Sequence, residues 1–337
     1  MFSLRSLKLL LPNDYPDFWL KRGIAARLLQ PFGNFYAGLG VFRYMLTQPI
    51  AVDVPVVCVG NLSVGGVGKT PIVAALSESL QAQGLQVHII GHGYGGSIRA
   101  ATQVDPMVHQ ASEVGDEALL HCQVAPTWIG RDRGIAARLA CEAGADVILL
   151  DDGWQNPRLR HRMVIAVVDG DNPFGNGLLL PAGPLRLKPS ALWSAHTVIA
   201  LGQSVHSSLT GITVIHGSRI SRWRTPFQAE ETVFAFCGLG KSRQFTESVQ
   251  RLCTSTGVNL SGVKAFPDHF PWDEETLQGL ARAADTATLV TTAKDWQRLP
   301  ESWKDQVRIV DLEIDWTDPT EFEEICQKIC NLTKSVK

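Results

Sequence analysis

Gly65, Gly66 and Gly68, followed at once by Lys69 and Thr70, are the residues of this chain best equipped for chemistry on phosphate. Glycines let successive backbone N–H groups turn inward around a polyphosphate. A lysine closing such a turn reaches the β- and γ-phosphates, and a threonine after it offers its hydroxyl to Mg2+. The loop Ser63-Val64-Gly65-Gly66-Val67-Gly68-Lys69-Thr70 departs from the usual G-x-x-x-x-G-K-T at one place, where Ser63 holds the first glycine position. A second group is Asp151-Asp152-Gly153-Trp154-Gln155, which closes an apolar run. That is the Walker B arrangement, whose carboxylate binds Mg2+ directly or through water. Glu113, Asp116 and Glu117 fall around a helix start, where acids are also ordinary first-turn residues. Spacing alone does not raise them above that role.

Both groups need strands to carry them. Apolar runs read as strands at Val54–Val59, Val87–Ile90, Asp146–Leu150, Met163–Val168 and Thr197–Leu201, with helical patterns at Pro71–Gln83, Asp116–Cys122 and Gly134–Ala143 between several of them. This alternation predicts an α/β fold of the P-loop NTPase type, a mostly parallel sheet flanked by helices. In such sheets ligands sit beyond the carboxyl ends of the strands, where the loop Gly91–Gly96 also falls. A second run of strands, at Thr232–Phe236, Ser261–Ala265, Thr288–Thr291 and Val307–Leu312, predicts a smaller C-terminal α/β lobe with helices near Gln244–Thr256 and Glu274–Ala284. The expected division is 1–50, 51–220 and 221–337, with the joint near Gly217–Gln228.

The 337 residues carry a net charge of −2, so nothing global advertises nucleic acid, and no obligate protein partner is evident. Seven scattered cysteines give neither a disulfide framework nor zinc-ligand spacing. The first fifty residues differ: six basic residues stand against Asp14 and Asp17 among many large apolar groups. Their longest uncharged stretch, Leu28–Phe42, is interrupted by Pro31, Gly33, Gly38 and Gly40 and falls short of the ~20 residues of a spanning helix. Two readings stand. One is an amphipathic helical segment on an anionic membrane surface, the other a helical hairpin packed on the body with a solvated basic face.

Taken together, the loop Val59–Pro71, His92-Gly93-Tyr94-Gly95, Val114-Gly115-Asp116-Glu117, Asp151–Gln155, Gly175–Arg186, the Phe236–Gly240 strand end, Phe266-Pro267-Asp268-His269 and Val290–Asp295 resemble the tetraacyldisaccharide 4′-kinases, the lipid A 4′-kinases of Gram-negative bacteria. The resemblance spans nearly the whole chain, and Leu180–Arg186 and the Phe-Pro-Asp-His tetrapeptide are specific to that family. It implies transfer of the ATP γ-phosphate to the 4′-hydroxyl of a tetraacyldisaccharide 1-phosphate, a lipid A disaccharide precursor. The place implied is the cytoplasmic face of the inner membrane, with the protein peripheral or monotopic. By motif match, Asp116 is the catalytic aspartate, assisted by His269. Lys69 grips the phosphates within the Ser63–Thr70 loop, and Thr70, Asp151, Asp152 and Glu117 face Mg2+.

Four departures from the family pattern bear on contacts to nucleotide and substrate. His92 replaces an arginine, Asn156 a histidine and Ala293 a glutamate, and Phe270 sits where His or Tyr is frequent. The basic run Arg158–Arg162, Arg186 and Lys188 suit either the substrate phosphate and lipid headgroups or a solvated face. The rival functions are a ParA-like positioning ATPase and a GTPase or metal-insertion NTPase. The first places a lysine where Val64 stands; the guanine-reading motif N/T-K-x-D is absent.

Overall fold

Every residue of Val56–Gly60 is buried. Val57 and Val59 face one layer of helices, and Val56 and Cys58 face the other. A strand covered on both faces belongs in the middle of a parallel sheet. The computed structural model describes residues 16–240 and 242–334. They form two units, Asp17–Arg219 joined by the residues from Ile314 on, and Ile220–Glu313.

The strands of the larger unit are β1 (Val56–Gly60), β2 (Val87–Gly91), β3 (Thr102–Gln103), β4 (Thr127–Ile129), β5 (Val147–Asp151), β6 (Met163–Asp169), β7 (Thr197–Leu201) and the start of β8 (Val214–Trp223). Their order is β3-β4-β2-β5-β1-β6-β7-β8, parallel throughout except at the β3–β4 edge. On one face lie the helices Lys69–Ala82 and Pro319–Lys334, whose Ile72, Leu76, Leu80, Ile325 and Ile329 share a core with Val57, Val59 and Leu149. On the other lies Arg133–Glu142, packed through Ala136, Ala137 and Ala140. The smaller unit has its own parallel order, β10 (Asn259–Ala265), β9 (Thr232–Cys237), β11 (Thr288–Thr292) and β12 (Val307–Trp316). Its helices Ser242–Thr256 and Glu274–Ala284 contribute to two cores of that unit.

Three findings differ from the sequence reading. The joint expected at Gly217–Gln228 is largely strand: Val214–Trp223 buries only Ile215 and Gly217 and is mostly polar beyond them, so it presents no continuous apolar run. The smaller unit ends at Glu313 instead of running to 337: the helix Pro319–Lys334 belongs to the larger unit, where Ile325, Cys326 and Ile329 are fully buried. Pro31, Gly33, Gly38 and Gly40 do not interrupt the N-terminal segment. A single helix, Ile24–Met45, runs through all four.

Residues 1–15 of the expected N-terminal segment lie outside the described residues. The helix Ile24–Met45 buries Ala26 and Gly33 and exposes Leu28, Phe32, Phe35, Leu39 and Phe42. These spacings of three and four residues draw a continuous apolar stripe along one side of a helix. Gly33 allows the close approach on the opposite side, since a Cβ there would sit 3.0 Å from the Leu179 carbonyl oxygen. Among the described residues no helix is long and apolar enough to cross a membrane.

Candidate active site

The parallel register sets the two phosphate-chemistry motifs side by side. Asp151 at the end of β5 lies opposite Val59, one residue before Gly60 closes β1, and the Asp152 N–H donates to the Val59 carbonyl over 2.9 Å. The loop after β1 turns on Gly65 and Gly68, at φ of 100° and 99°. Those values lie in the left-handed region that glycine tolerates without strain. Gly68 is doubly required, because a Cβ would stand 2.7 Å from Leu201 Cδ1. Val67 is buried and anchors the loop, Gly65 and Gly66 are exposed, and Ser63, Val64 and Thr70 are intermediate. Ser63 bridges to Leu185, and the Val64 N–H donates to the Pro184 carbonyl over 2.8 Å. Leu180–Arg186 is therefore stitched directly to the phosphate loop.

Lys69 has only 13% of its side chain exposed. Its Nζ donates to Asn61 Oδ1 over 3.1 Å and lies 3.8 Å from Asp152 Oδ1. Arg186 grips Asp152 with both guanidinium ends, at 3.0 and 2.7 Å, and also donates to Asn61. Burial on its own would raise the Asp152 carboxyl. The charges of Lys69, Arg186 and Arg133 overcome it and hold the group well below the usual carboxylate range. Arg186 is thus neither a solvated charge nor a free phosphate contact in this structure. Asp152, expected to face Mg2+, presents both oxygens to Arg186.

Asp151 faces the other way. Its Oδ2 is 2.8 Å from His121 Nε2, and its Oδ1 is buried without a hydrogen-bond partner. His121 ends the helix Asp116–His121, which begins with the expected catalytic aspartate and Glu117. Asp116 is 3% exposed, and its Oδ1 accepts the Glu117 N–H over 2.9 Å; Glu117 is half-buried. The approach to this helix is backbone on backbone. A Cβ at Gly115 would fall 2.4 Å from the Tyr94 carbonyl oxygen, and one at Gly96 2.3 Å from that of Glu113. The Gly93–Gly96 loop thereby fixes where Asp116 starts its helix.

His269 lies in the smaller unit, whereas Asp116 lies in the larger. Within its unit it adopts a left-handed φ of 59°, donates its N–H to the Gly238 carbonyl over 3.1 Å, and stands with Nε2 3.9 Å from Asp268. Asp295, fully buried at the end of the Thr-Thr-Ala-Lys-Asp segment, accepts the Gly238 N–H on both oxygens at 3.1 Å. Phe270, one of the departures, packs with Phe266 and Trp272 at ring distances of 4.6 and 5.0 Å.

The match to known proteins extends over the same elements. The family model described as tetraacyldisaccharide-1-P 4′-kinase covers residues 25–331. This chain belongs to the tetraacyldisaccharide 4′-kinase family. It is 40% identical over 326 residues to the tetraacyldisaccharide 4′-kinase of Gluconobacter oxydans, covering 92% of this chain and 96% of that one. A tetraacyldisaccharide 4′-kinase of Gluconacetobacter diazotrophicus is likewise 40% identical, over 90% of this chain and 94% of its own. Among solved structures, LpxK from Aquifex aeolicus in complex with ATP superposes with a TM-score of 0.74 at 25% identity, over 90% of this chain and 99% of that chain. Family membership sets aside the positioning-ATPase and metal-insertion readings.

Three residues of the site were missed by motif reading. Asn61 lies within the Val59–Pro71 match but ahead of the phosphate-gripping Ser63–Thr70 and was given no role, Arg133 opens a helix, and His121 closes one; each acts through a contact distant in sequence. For Asn61 a signal was present in its place directly after the apolar strand. Arg133 is buried beside the Asp151–Asp152 turn, and burial pulls its guanidinium pKa down. Burial and the Arg133 charge push the nearby His161 imidazole down to about 4. An unfolded chain takes up that proton near its ordinary value of about 6.5. Stability is therefore complete above that pH and is lost as the pH falls toward the folded value. His161→Phe is expected to remove roughly 2 kcal/mol of acid sensitivity between about pH 7 and about pH 4.5, read as the change in urea midpoint.

Proposed function

We propose that this chain transfers the γ-phosphoryl group of ATP to the 4′-hydroxyl of a tetraacyldisaccharide 1-phosphate, a precursor of lipid A. The observation that carries the reading is the phosphate loop set abreast of the Asp151–Asp152 turn in a member of this kinase family. The backbone N–H groups of the Gly65–Gly68 turn receive the nucleotide phosphates. Lys69, held at Asn61 and Asp152 in this structure, turns to the β- and γ-phosphates as ATP arrives. Asp152 then serves as the anchor for Lys69 and Arg186 that keeps these cations in place.

Asp116 accepts the proton of the 4′-hydroxyl. A sugar hydroxyl is a weak acid, so a carboxylate within hydrogen-bond reach acts chiefly as the proton leaves. His269 takes its assisting role from the motif match alone, and a histidine is suited to proton handling near neutral pH. For Mg2+, the donor set fits. Asp151 Oδ1 is a buried carboxylate oxygen without a partner, and Thr70 and Glu117 are the further oxygen donors carried by the motif match. Among the described residues no three His, Cys, Asp or Glu side chains form a preformed metal site. Mg2+ in nucleotide sites commonly keeps waters and takes phosphate oxygens alongside one or two carboxylates. When bound, the ion neutralises charge on the β- and γ-phosphates.

The lipid substrate calls for a protein at a membrane surface, and the N-terminal helix supports that placement. Its stripe Leu28, Phe32, Phe35, Leu39 and Phe42 is exposed, with Lys21, Arg22, Arg27 and Arg43 nearby in sequence. Apolar side chains flanked by cations lie well in an anionic headgroup layer. A cavity of about 340 Å³, lined by Gly33, Asn34, Leu178, Leu179 and Lys188 among others, opens between this helix and the segment stitched to the phosphate loop. It is our candidate for part of the lipid's seat on the anionic membrane surface of the inner leaflet.

Radiolabelled ATP and the lipid A disaccharide precursor test the reaction directly. Lys69→Ala is expected to abolish transfer. Asp116→Asn is expected to lower kcat by about 10²–10⁴-fold while leaving nucleotide affinity nearly unchanged. Equal loss of turnover and affinity would make Asp116 a structural acid. Replacing Phe32, Phe35 and Phe42 together by Asn is expected to cut cosedimentation with anionic vesicles several-fold; full retention would turn the stripe away from lipid.

A further inference from the structure

We propose that His121 is a positioning residue that presents Asp151 to the divalent cation of the bound nucleotide. The proposal rests on the reading above that Asp151 carries that cation. His121 Nε2 and Asp151 Oδ2 are 2.8 Å apart, with only 2% and 7% of their side chains exposed. An ionised carboxylate has acceptors only, so Nε2 carries the proton of this bond and the tautomer is fixed. With Oδ2 held, the carboxylate has one remaining oxygen, Oδ1, which is buried and bare. A carboxylate oxygen left without a partner in the interior is costly unless something enters that place. In a chain that handles ATP, the fitting occupant is a cation or one of its waters.

The bond also has a structural reach that ordinary side-chain pairs lack. His121 is the last residue of a helix whose first residue is Asp116. That helix is set at its start by the backbone packing of Gly115 against Tyr94 and fastened at its end to the carboxylate of β5. One hydrogen bond therefore fixes the cation carboxylate and holds the element that carries the proposed base. A purely structural pair would give stability and nothing more. A pair that orients a metal ligand sets cation affinity as well, because groups bonded to ligating carboxylates typically change metal affinity by about 10–100-fold when removed.

The test measures Mn2+ as the probe, by electron paramagnetic resonance of the free ion, on the full chain saturated with a non-hydrolysable ATP analogue. His121→Leu is expected to raise the Mn2+ Kd at least about tenfold, while affinity for the analogue without metal stays at the wild-type value. His121→Gln, which retains an N–H donor, is expected to recover most of the loss. Wild-type Mn2+ affinity in His121→Leu, alongside weakened binding in Asp151→Asn, would overturn the positioning role and leave the Asp151 reading intact. Wild-type affinity in Asp151→Asn would overturn both. Should His121→Leu fail to melt cooperatively, His121→Asn, polar but too short to reach Oδ2, is read in the same way.

Discussion

Two consecutive carboxylates at the end of a buried strand are the constraint on which the site depends. Asp151 and Asp152 leave β5 where the sheet interior meets the phosphate loop, and each must be compensated there. For Asp151, with 7% of its side chain exposed, losing its partner would leave an uncompensated buried charge, at a cost of about 3–5 kcal/mol, whereas Asp152 is 37% exposed and partly screened by solvent. The chain meets the demand by division. Asp152 turns toward Lys69, Arg186 and the neighbouring Arg133, whereas Asp151 turns toward His121. The cations beside the phosphate loop are thereby held in place by a carboxylate of the protein.

This division also explains why Leu180–Arg186 is joined so closely to the rest of the site. Arg186 reaches Asp152 only because its backbone N–H donates to the Leu62 carbonyl over 2.6 Å and Gln155 holds its carbonyl over 2.8 Å. The same segment meets the N-terminal helix, where the Trp19 indole N–H donates to the Pro181 carbonyl over 3.0 Å and Gly33 rests on Leu179. A displacement at the helix would be passed on through packed backbone rather than through a flexible loop. The apolar stripe and the phosphate loop thus belong to one mechanically continuous body within the larger unit.

Much of this was legible in the sequence, for a physical reason. A phosphate loop is local: strand, glycines, lysine and helix follow in one run, so Val56–Ala82 announces itself. The strands of β5, β6 and β7 are covered on both faces and read as unbroken apolar runs. By contrast β3 and β4 are only two and three residues long, and β8 buries only two of its ten residues, so none gives a strong local signal. The uninterrupted helix through Pro31 was hidden because an interior proline removes an N–H donor and crowds the carbonyl four residues back, which argues locally against a helix that nonetheless continues here. His121 and Arg133 were invisible for another reason. Their partners lie many residues away, and a lone histidine or arginine on a helix carries no mark of the carboxylate it will meet.

The placement of the last helix bears on the order in which the molecule can be made. Ile325, Cys326 and Ile329 fill the core beside the helix that follows the phosphate loop, and the Trp316 and Phe322 rings stack 4.4 Å apart at its approach. The chain thus sets out its nucleotide motif early and closes the core beside it much later, with the helix Pro319–Lys334. On a ribosome, Lys69–Ala82 emerges long before Pro319–Lys334 can cover its flank. A nascent or prematurely ended chain would display the complete motif on an unfinished core, leaving a surface for chaperones to hold. Addition of Pro319–Lys334 thereby completes the apolar core beside the phosphate-loop helix.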